Sequence, residues 1–557
     1  MTSLFWEPND KNPGPPYLGE KNLAKERYKR PDKLLADPDM IVIGSGIGGL
    51  SIASILAQKK NARVLLLEAN TVPGGATHCH EIGGFEWNSG VDSIGDMDPR
   101  KGRGLFRPTI DYVTGGQLQW AKMPDVHEVS TLGEEVYQWY SSAEKNIAWV
   151  QEKFPGQGDI RKYYRLEAAI EWAAWCWTLT KLFPSWVPES FRELFYRIFG
   201  GKWRQYMLQT TNDVYQRVLG FSRHLTTVYT YMYGNHGATP DHSPFAFHAV
   251  NLLHYRDGAY YPVGGPGQIA ECVIPIIEKA GGQLAVGCPV QRILVEDGRT
   301  VGVRLESGEE IRCNTVISDA SAYTTYMELL EPELRDSLGF PEKFTRISPS
   351  PGHCWLFLGY DEAIDLPKQI FWEMPQYTGV DRLDLDAADI EYKQNLRFDG
   401  MAGYLLSPSS RDPVYAQRYP NKSTVIVLAE APSAWINRAK DDPEWKATID
   451  TKIGDNLEKI VHRHMPVLKD KQPVFRRSGF PMGCNPRAWG GGSLGLEPSG
   501  ARFVEHTHWL RPQTPIKGLW LTGQDPFSAG FSGSMLSARV TYAAMTGNWL
   551  SLLFKKM

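Results

Sequence analysis

The chain has 557 residues, of which 42% are hydrophobic and 22% are charged, values typical of a folded globular protein and not of a disordered one. The 60 Lys and Arg residues against 63 Asp and Glu residues leave a net charge of -3, which gives no global electrostatic reason to expect a nucleic-acid partner. The 7 cysteines show no CxxC or metal-finger spacing, so we expect reduced thiols in an intracellular compartment and no metal site.

The first predicted elements come in the order of a dinucleotide-binding unit. Residues 1–38 lack a continuous apolar run and are expected to form an extended arm, not a secretory signal. A short buried strand is predicted over Met40 to Ile43, then a glycine turn and a helix from Leu50 to Gln58. A second strand is predicted over Arg63 to Leu67 and ends at an acid, Glu68. This order of strand, glycine turn, helix, strand and acid predicts a βαβ unit.

The glycine turn explains why this unit is expected to bind a dinucleotide. Gly44 permits the tight bend, Gly46 lets the backbone approach a pyrophosphate, and Gly49 lets the helix pack closely on the strand. The helix N-terminus supplies free N–H groups and a positive dipole to the phosphates. Glu68, 19 residues beyond Gly49, is placed to accept hydrogen bonds from ribose hydroxyls. A second formal GxGxxG at 490–495 has no preceding strand and no following helix, and is interpreted as a loop.

Two further patterns favour FAD over NAD. Gly74 and Gly75 follow Glu68 at a spacing that returns the chain toward the pyrophosphate and the isoalloxazine. Near the C-terminus a buried strand over 518–522 breaks into a turn with Gly523 and Asp525, and Gly533 stands at the start of a predicted terminal helix over 534–553. An acid can hold ribityl hydroxyls, and a helix N-terminus can stabilise negative charge at N1 and O2 of a flavin.

The middle of the chain is predicted to form an aromatic-rich helical lobe. Glu189 to Phe199 has an apolar and a charged face, which suits either the surface of a bilayer or packing on the protein's own core. Upstream aromatic residues are dense enough to wall a channel for a conjugated chain, although core packing explains them equally well: Trp172, Trp175, Trp177, Phe183 and Trp186.

Beyond the lobe, a three-stranded meander is predicted over 290–313, followed by a strand at 316–318 that returns to the main sheet. The predicted division of the chain is an N-terminal arm (1–38), three parts of an FAD-binding domain (39–130, 261–340 and 481–557), the lobe (131–260) and a substrate domain (341–480). Because both ends of the chain supply motifs for one nucleotide, we predict an α/β (α+β) fold with a composite FAD domain.

The motifs GSGIGGL, LEANTVPGG, WNSGVDSIG, YYPVGG, VISDAS, SPSSRDP and GLWLTGQD occur in this order. In this the chain resembles the carotenoid and retinoid oxidoreductase family, most of all the all-trans-retinol 13,14-reductases (retinol saturases) and next the carotenoid isomerases. The resemblance implies a Rossmann-like FAD-binding domain of the amine oxidase and phytoene desaturase type with an inserted substrate lobe. It implies FAD contacts at the positions already singled out, together with a backbone contact from Val290 to adenine, and places the turn at 261–265 near the flavin or the substrate channel.

The resemblance also implies an activity on a lipophilic conjugated polyene. We expect an FAD-dependent reductase that saturates a retinoid or carotenoid double bond; the alternatives are a carotenoid cis–trans isomerase, an amine oxidase, and a flavin-free binding module of the GDP dissociation inhibitor type. Peripheral or monotopic association with a membrane surface is expected, of endoplasmic reticulum or plastid type in a eukaryote. With no second nucleotide unit visible, the electron donor stays unassigned. Proton donors are sought among six residues, none of them assigned: His78, Tyr233, His236, Arg256, Asp257 and Tyr260.

Overall fold

The computed structural model describes residues 28–88, 90–98, 104–184, 186–480 and 488–548. A five-stranded parallel sheet joins both ends of the chain. Its three inner strands are short, almost wholly buried runs rich in aliphatic residues, as expected for a sheet that is covered on both faces. Their order across the sheet is Leu519–Leu521, Val316–Ser318, Met40–Ile43, Val64–Leu67 and Gln283–Ala285.

The helix predicted after the glycine turn is confirmed and runs from Ile47 to Lys60. Its residues 47–57 are all buried, because it packs between the helices Gln268–Lys279 and Gly530–Thr546 and beside Phe106–Val113. The predicted terminal helix is therefore observed over Gly530–Thr546, and the last part of that prediction, 549–553, lies outside the described residues.

The predicted meander is also confirmed, with strands Val290–Glu296, Arg299–Leu305 and Glu310–Arg312 in antiparallel register. Asp297 and Gly298 have positive φ at the first turn, a conformation that these residue types tolerate well. The chain then enters the parallel sheet at Val316–Ser318, between the first strand and the last. A separate apolar core fills the space between the meander and the parallel sheet.

A seven-stranded mixed sheet forms the second layer of the molecule. All its neighbouring strands are antiparallel except the pair Ile370–Glu373 and Val126–Leu132. One face is covered by the long helix Pro443–His464, and the other contributes to a core shared with the helical lobe. The strand order is Phe475–Gly479, Gly352–Tyr360, Ser423–Ala431, Gly403–Leu406, Ile370–Glu373, Val126–Leu132 and Glu135–Tyr140. The division into domains stays a prediction.

The predicted lobe is helical. Its main helices are Ala143–Lys153, Ile160–Thr180, Glu189–Phe199, Gly201–Met207, Arg223–Tyr229 and Phe245–Tyr255. Ser142, Asp159 and Ser222 each accept a backbone N–H as N-caps, which explains where three of these helices begin. Over the described ranges, no helix combines the length and apolarity needed to cross a bilayer.

Short elements complete the described chain. The hairpin Cys79–Ile82 with Phe85–Asn88 and the pair Trp120–Lys122 with Tyr260–Pro262 form two small antiparallel sheets. The remaining short helices are Gly75–Thr77, Thr211–Asp213, Val214–Val218, Tyr231–Asn235, Thr324–Glu328, Pro332–Ser337, Phe340–Phe344, Leu385–Lys393, Pro408–Arg411, Tyr415–Arg418, Ser433–Asp441, Pro466–Leu468, Trp489–Gly491 and Gly500–Val504. All the described cysteines are free and buried; Cys484 lies outside the described residues.

Candidate active site

One cavity of about 1140 Å³ extends from the carboxyl ends of the parallel strands into the space between the lobe and the seven-stranded sheet. Its volume exceeds the ~300–1,000 Å³ that is typical of a pocket for one small ligand. At one end it is bordered by backbone of glycine turns, and at the other by aromatic side chains of the lobe and sheet. A single continuous cavity therefore has room for a dinucleotide and a second, apolar molecule.

The first glycine turn has the geometry that the sequence predicts. Gly44 has φ +93°, and both Gly44 and Gly46 border the cavity. Gly49 does not border it; a Cβ at this position would lie 2.0 Å from the carbonyl oxygen of Gly44, so only glycine lets helix and strand approach so closely. The N-cap residue Gly46 supplies no side-chain cap and no acid stands in the first turn of the helix Ile47–Lys60, so its N-terminus is suited to a phosphate apart from the N–H of Gly49, which the carboxyl group of Asp319 accepts.

Glu68 lies at the end of the second strand and borders the cavity, as expected for a ribose-binding acid. It is 5% exposed, and its two carboxylate oxygens accept the backbone N–H of Ser45 at 2.9 Å and of Asn70 at 2.8 Å. These bonds hold the carboxylate beside the glycine turn. Gly74 donates its N–H to the carbonyl of Ser45 at 3.1 Å, and Gly75, with φ +55°, borders the cavity next to Gly46.

Asp319 is a site residue that the sequence analysis missed. It follows the strand Val316–Ser318, and its Oδ2 accepts the N–H of Gly49 at 2.8 Å. The carboxyl group occupies the space where side chains would otherwise stand: Cβ atoms at Gly46 and Gly523 would lie 2.6 and 2.3 Å from its oxygens. Burial raises the pKa of Asp319 to about 8, the Gly49 N–H opposes this, and the carboxylates of Glu68 and Asp525 add to it. A buried carboxyl group with a raised pKa therefore stands between the two glycine turns.

The glycine and the acid of the C-terminal motif support the site without bordering the cavity. Gly523, with φ +89°, packs against Asp319, and Asp525 is 2% exposed. The two carboxylate oxygens of Asp525 accept the N–H of Ala322 at 2.7 Å and of Leu496 at 2.9 Å. Among the residues that border the cavity, neither Gly523 nor Asp525 is found. Asp525 thus joins three separate segments of backbone, a role that the sequence did not suggest.

The start of the terminal helix does reach the cavity. Gly533 borders it, and a Cβ there would lie 2.1 Å from the carbonyl oxygen of Ser528. The N-cap residue Ala529 supplies no side-chain cap, and no acid stands in the first turn. The helix dipole is therefore directed at the same cavity as that of Ile47–Lys60.

Two more segments border the cavity near these turns. Val290, 8% exposed at the start of the meander, is among the lining residues, which leaves the predicted adenine contact a prediction. The second GxGxxG forms a loop, as predicted, but its Gly490 and Gly492 also line the cavity. Trp489 holds this loop in place by stacking on Tyr323 with ring centroids 4.2 Å apart. The sequence analysis had assigned this loop no role.

The structure separates the proton-donor candidates into two groups. Three of them border the cavity: Tyr233, Arg256 and Asp257. Arg256 is already paired with the buried Glu167 at 2.7 Å. The other three do not border it: His78, His236 and Tyr260. His236 instead contacts His248 at 3.1 Å. The turn at 261–265, expected near the flavin or the channel, does not border the cavity either; Gly264 donates its N–H to the buried Asp412.

Aromatic residues dominate the far end of the cavity. Of the five upstream aromatics singled out in the sequence, Trp175 and Trp177 line it, whereas Trp172 and Trp186 are 71% and 80% exposed. Phe183 packs against the exposed helix instead, with ring centroids 5.8 Å from Phe191. Further lining residues at this end are Trp203, Tyr231, Phe247, Trp372, Tyr404 and Phe527.

The glycine end fits an FAD molecule. The backbone of Gly44, Gly46 and Gly75 carries no side chain where a pyrophosphate has to approach, and Glu68 borders the same end of the cavity. The helices Ile47–Lys60 and Gly530–Thr546 also begin at this end, where Asp319 accepts the N–H of Gly49 and Gln524 that of Gly530. The protein-family model described as "Flavin containing amine oxidoreductase" matches residues 189–541. A second family model, described as a NAD(P)-binding Rossmann-like domain, matches residues 42–101.

The chain is also similar to individual proteins and solved structures. An all-trans-retinol 13,14-reductase of Rattus norvegicus is 31% identical over 96% of this chain and 90% of its own. A chloroplastic prolycopene isomerase of an Oncidium hybrid cultivar is 28% identical over 53% of this chain and 50% of its own. The solved cyclohexylamine oxidase of Brevibacterium oxydans matches with TM-score 0.55 at 15% identity over 93% of this chain and 99% of that one, which shows the fold alone.

These matches confirm the predicted fold, an FAD-binding Rossmann-like domain of the amine oxidase type, and give no support to the flavin-free binding module. The chain therefore belongs to the flavin-containing amine oxidoreductase family and is an FAD-dependent oxidoreductase.

Proposed function

We propose that this flavoenzyme saturates a carbon–carbon double bond of a lipophilic conjugated polyene, a retinoid or a carotenoid. The observation that carries the proposal is the continuity of the cavity: the same cavity that borders the glycine turns is also lined by Trp175, Trp177 and Trp372. A long conjugated chain has a large apolar area, and aromatic walls reward its burial. The retinol reductase relatives support this substrate class.

Reduced FAD supplies the hydride for such a reaction, and the protein binds, orients and keeps water out. We propose that Gly44, Gly46 and Gly75 receive the pyrophosphate, and that Glu68 and Val290 hold the ribose and adenine. The remaining predicted cofactor positions act by shaping the turns: Gly49, Gly74, Gly523, Asp525 and Gly533. Their close backbone contacts support this role.

Cis–trans isomerisation of a carotenoid is the second candidate. The match to a prolycopene isomerase over half of the chain favours it. The same cavity suits both reactions, because isomerisation needs only transient donation of electrons or hydride and their return, whereas saturation consumes them.

Product mass separates the two. The FAD-loaded enzyme is reduced with dithionite without oxygen and incubated with all-trans-retinol or a cis-lycopene. The proposal predicts a product two hydrogens heavier than the substrate. A product of unchanged mass but altered retention time would establish isomerisation instead, and no product from either polyene would refute both. Amines are included as substrates, because oxidation of an amine with peroxide formation would assign a different reaction.

We also propose that this protein sits on a membrane surface and takes its substrate from there. The predicted helix Glu189–Phe199 exposes apolar side chains to solvent: Phe191 (51%), Leu194 (55%), Ile198 (62%) and Phe199 (53%). Trp186, shortly before this helix, and Trp172, in the preceding helix Ile160–Thr180, are exposed as well. Basic residues flank the patch, as in helices that lie in the interface of a bilayer. The exposed apolar face supports this arrangement over packing on the protein's own core.

A vesicle flotation assay tests this arrangement. We expect the wild-type protein to float with vesicles that contain anionic lipid and Ile198→Asp to remain in the soluble fraction. Val474→Asp is the matched control. Val474 is also 62% exposed, but it lies directly before the strand Phe475–Gly479 of the seven-stranded sheet and not in the helix Glu189–Phe199. Equal flotation of the wild type and both variants would refute the assignment of this helix.

A further inference from the structure

A polar pair, Glu128 and Trp372, stands in the wall that the seven-stranded sheet presents to the cavity. In this sheet Glu128 lies opposite Ile370, and Trp372 lies opposite Tyr404. Because side chains alternate along a strand, Glu128, Ile370, Trp372 and Tyr404 share one face. All four border the cavity. A carboxyl group thus stands next to an indole in the wall of a space suited to an oily molecule.

The two polar groups are incompletely satisfied. Glu128 is 1% exposed and Trp372 is 5% exposed. Oε2 of Glu128 accepts the hydroxyl of Tyr231 at 2.6 Å, but Oε1 has no hydrogen bond of normal geometry from the described residues, and neither has the indole Nε1 of Trp372. Unpaired buried carboxyl oxygens are costly and rare in native proteins, so this one calls for a partner that the described residues do not supply.

No basic side chain forms a salt bridge with Glu128 among the described residues. Burial raises the pKa of Glu128 to about 7, and the Tyr231 hydroxyl, the more distant Arg411 and the Trp372 indole oppose the rise. The indole N–H of Trp372 therefore reaches the carboxyl group as a weak hydrogen-bond donor, outside the geometry of a normal hydrogen bond. Tyr404, which faces the same space, is engaged with a different carboxyl, because its hydroxyl donates to Asp92 at 2.9 Å.

We propose that Glu128 and Trp372 form a subsite for a hydroxyl group, so that the substrate is a polyene alcohol and not a hydrocarbon. A hydroxyl is both a donor and an acceptor. It can donate to Oε1 of Glu128 while it accepts from the indole N–H, and so satisfies both groups at once. Trp372 borders the open volume, so a small displacement of its ring into that volume admits the hydroxyl oxygen between them.

A hydrocarbon satisfies neither group and would bury the pair more completely. Sites built to hydrogen-bond a substrate hydroxyl reject the analogue that lacks it, because their own polar groups are then left unpaired. The subsite rests on the proposed function, since it presupposes a polyene in this cavity. The subsite narrows the proposed substrates from conjugated polyenes in general to polyene alcohols, and so favours a retinoid alcohol over an unsubstituted carotene.

Binding of a matched ligand pair tests the proposal. The FAD-loaded enzyme is titrated with all-trans-retinol and with its deoxy analogue, in which hydrogen replaces the hydroxyl, and quenching of tryptophan fluorescence gives the two Kd values. We expect wild type to bind the alcohol at least ~10-fold more tightly than the hydrocarbon.

Two variants and a control assign the preference to the pair. Glu128→Leu combined with Tyr231→Phe removes the carboxyl without leaving the tyrosine hydroxyl unpaired; it is expected to weaken alcohol binding ~10–100-fold and to leave hydrocarbon binding unchanged or tighter. Trp372→Phe keeps an aromatic ring and removes the N–H, so it is expected to reduce the preference by a smaller factor. Tyr404→Phe keeps the ring that packs on Trp372 and removes only a hydroxyl that donates to Asp92, so it is expected to keep the wild-type ratio.

The possible failures differ. If the wild-type enzyme binds alcohol and hydrocarbon equally, or if the double variant weakens both to the same extent, the pair is not a hydroxyl subsite, although the proposed function stands. If the flavin-loaded wild-type enzyme binds neither polyene, the proposed function fails and the subsite with it. Retention of the full alcohol preference in both Trp372→Phe and the double variant would place the hydroxyl elsewhere in the cavity.

Discussion

Replacing Asp525 by alanine tests how the two ends of the chain are joined. The carboxylate of Asp525 accepts hydrogen bonds from two buried backbone N–H groups. One belongs to Ala322, which follows the strand Val316–Ser318, and the other to Leu496, which follows the glycine loop 490–495. Alanine leaves both donors buried without an acceptor. Each costs about 1–3 kcal/mol, so we expect the free energy of unfolding to fall by about 2–6 kcal/mol. Domains are typically stable by only about 5–15 kcal/mol, so this loss is large.

Urea unfolding of the flavin-free protein, followed by fluorescence, measures the loss directly. Asp470→Ala is the control, because Asp470 is exposed and its removal should change stability by no more than about 0.5 kcal/mol. Asp525→Asn should lie between, since one oxygen remains to accept one N–H while the amide group meets the other. Flavin content, measured on the same preparations, should fall with stability.

Two outcomes would refute this reasoning. A loss below about 1 kcal/mol in Asp525→Ala would mean that the two N–H groups find other partners and that Asp525 does not join the segments. Full stability with loss of flavin alone would mean that Asp525 acts on the cofactor directly, as the sequence first suggested.

Two further predictions concern the glycine turns. Gly49→Ala should destabilise the protein by about 1–3 kcal/mol or more and lower its flavin content, because its Cβ would lie 2.0 Å from the Gly44 carbonyl oxygen. The control is Gly201→Ala, which should leave stability unchanged because a Cβ there meets nothing within 4 Å. Equal effects of the two substitutions would contradict the packing argument. Asp319 has a pKa raised to about 8, so it is protonated at pH 7 and ionised at pH 9, where its charge would repel the pyrophosphate. The affinity of the flavin-free protein for FAD should therefore fall by up to ~10-fold per pH unit above 8, and Asp319→Asn should lose this dependence; the same pH profile in both proteins would exclude Asp319 as its cause.

The sequence predicted the nucleotide end of the cavity well because its signals are local. A strand, a glycine turn and a helix follow each other within 21 residues, Met40 to Lys60, so their meaning does not depend on distant parts of the chain. The strand at 316–318 was also found, since a short aliphatic run after a meander has few other places to pair.

The missed residues depend on distant contacts. Asp319 matters because the turns at Gly46 and Gly523 meet around its carboxyl group, and these turns are far apart in the sequence. Asp525 has the residue type of a cofactor ligand, but its direction is decided by the N–H groups of Ala322 and Leu496. No local pattern reveals either arrangement.

Glu128 was not identified as a site residue from the sequence for a different reason. In the strand Val126–Leu132 an acid that alternates with other residues is typical of a solvent-facing position. Both faces of this sheet are covered here, one by the helix Pro443–His464 and the other by the lobe, so the alternation does not tell which face meets water. The strand pairing places Glu128 in the cavity wall instead.

A single-turnover experiment tests most directly whether flavin and polyene share the one cavity. The enzyme is reduced without oxygen, excess reductant is removed, and a polyene alcohol is added while the absorbance band of oxidised flavin is recorded. We predict that the band returns and that one molecule of dihydro product forms for each flavin oxidised. A flavin that stays reduced while the polyene is bound would contradict the account, and so would oxidation without a product two hydrogens heavier.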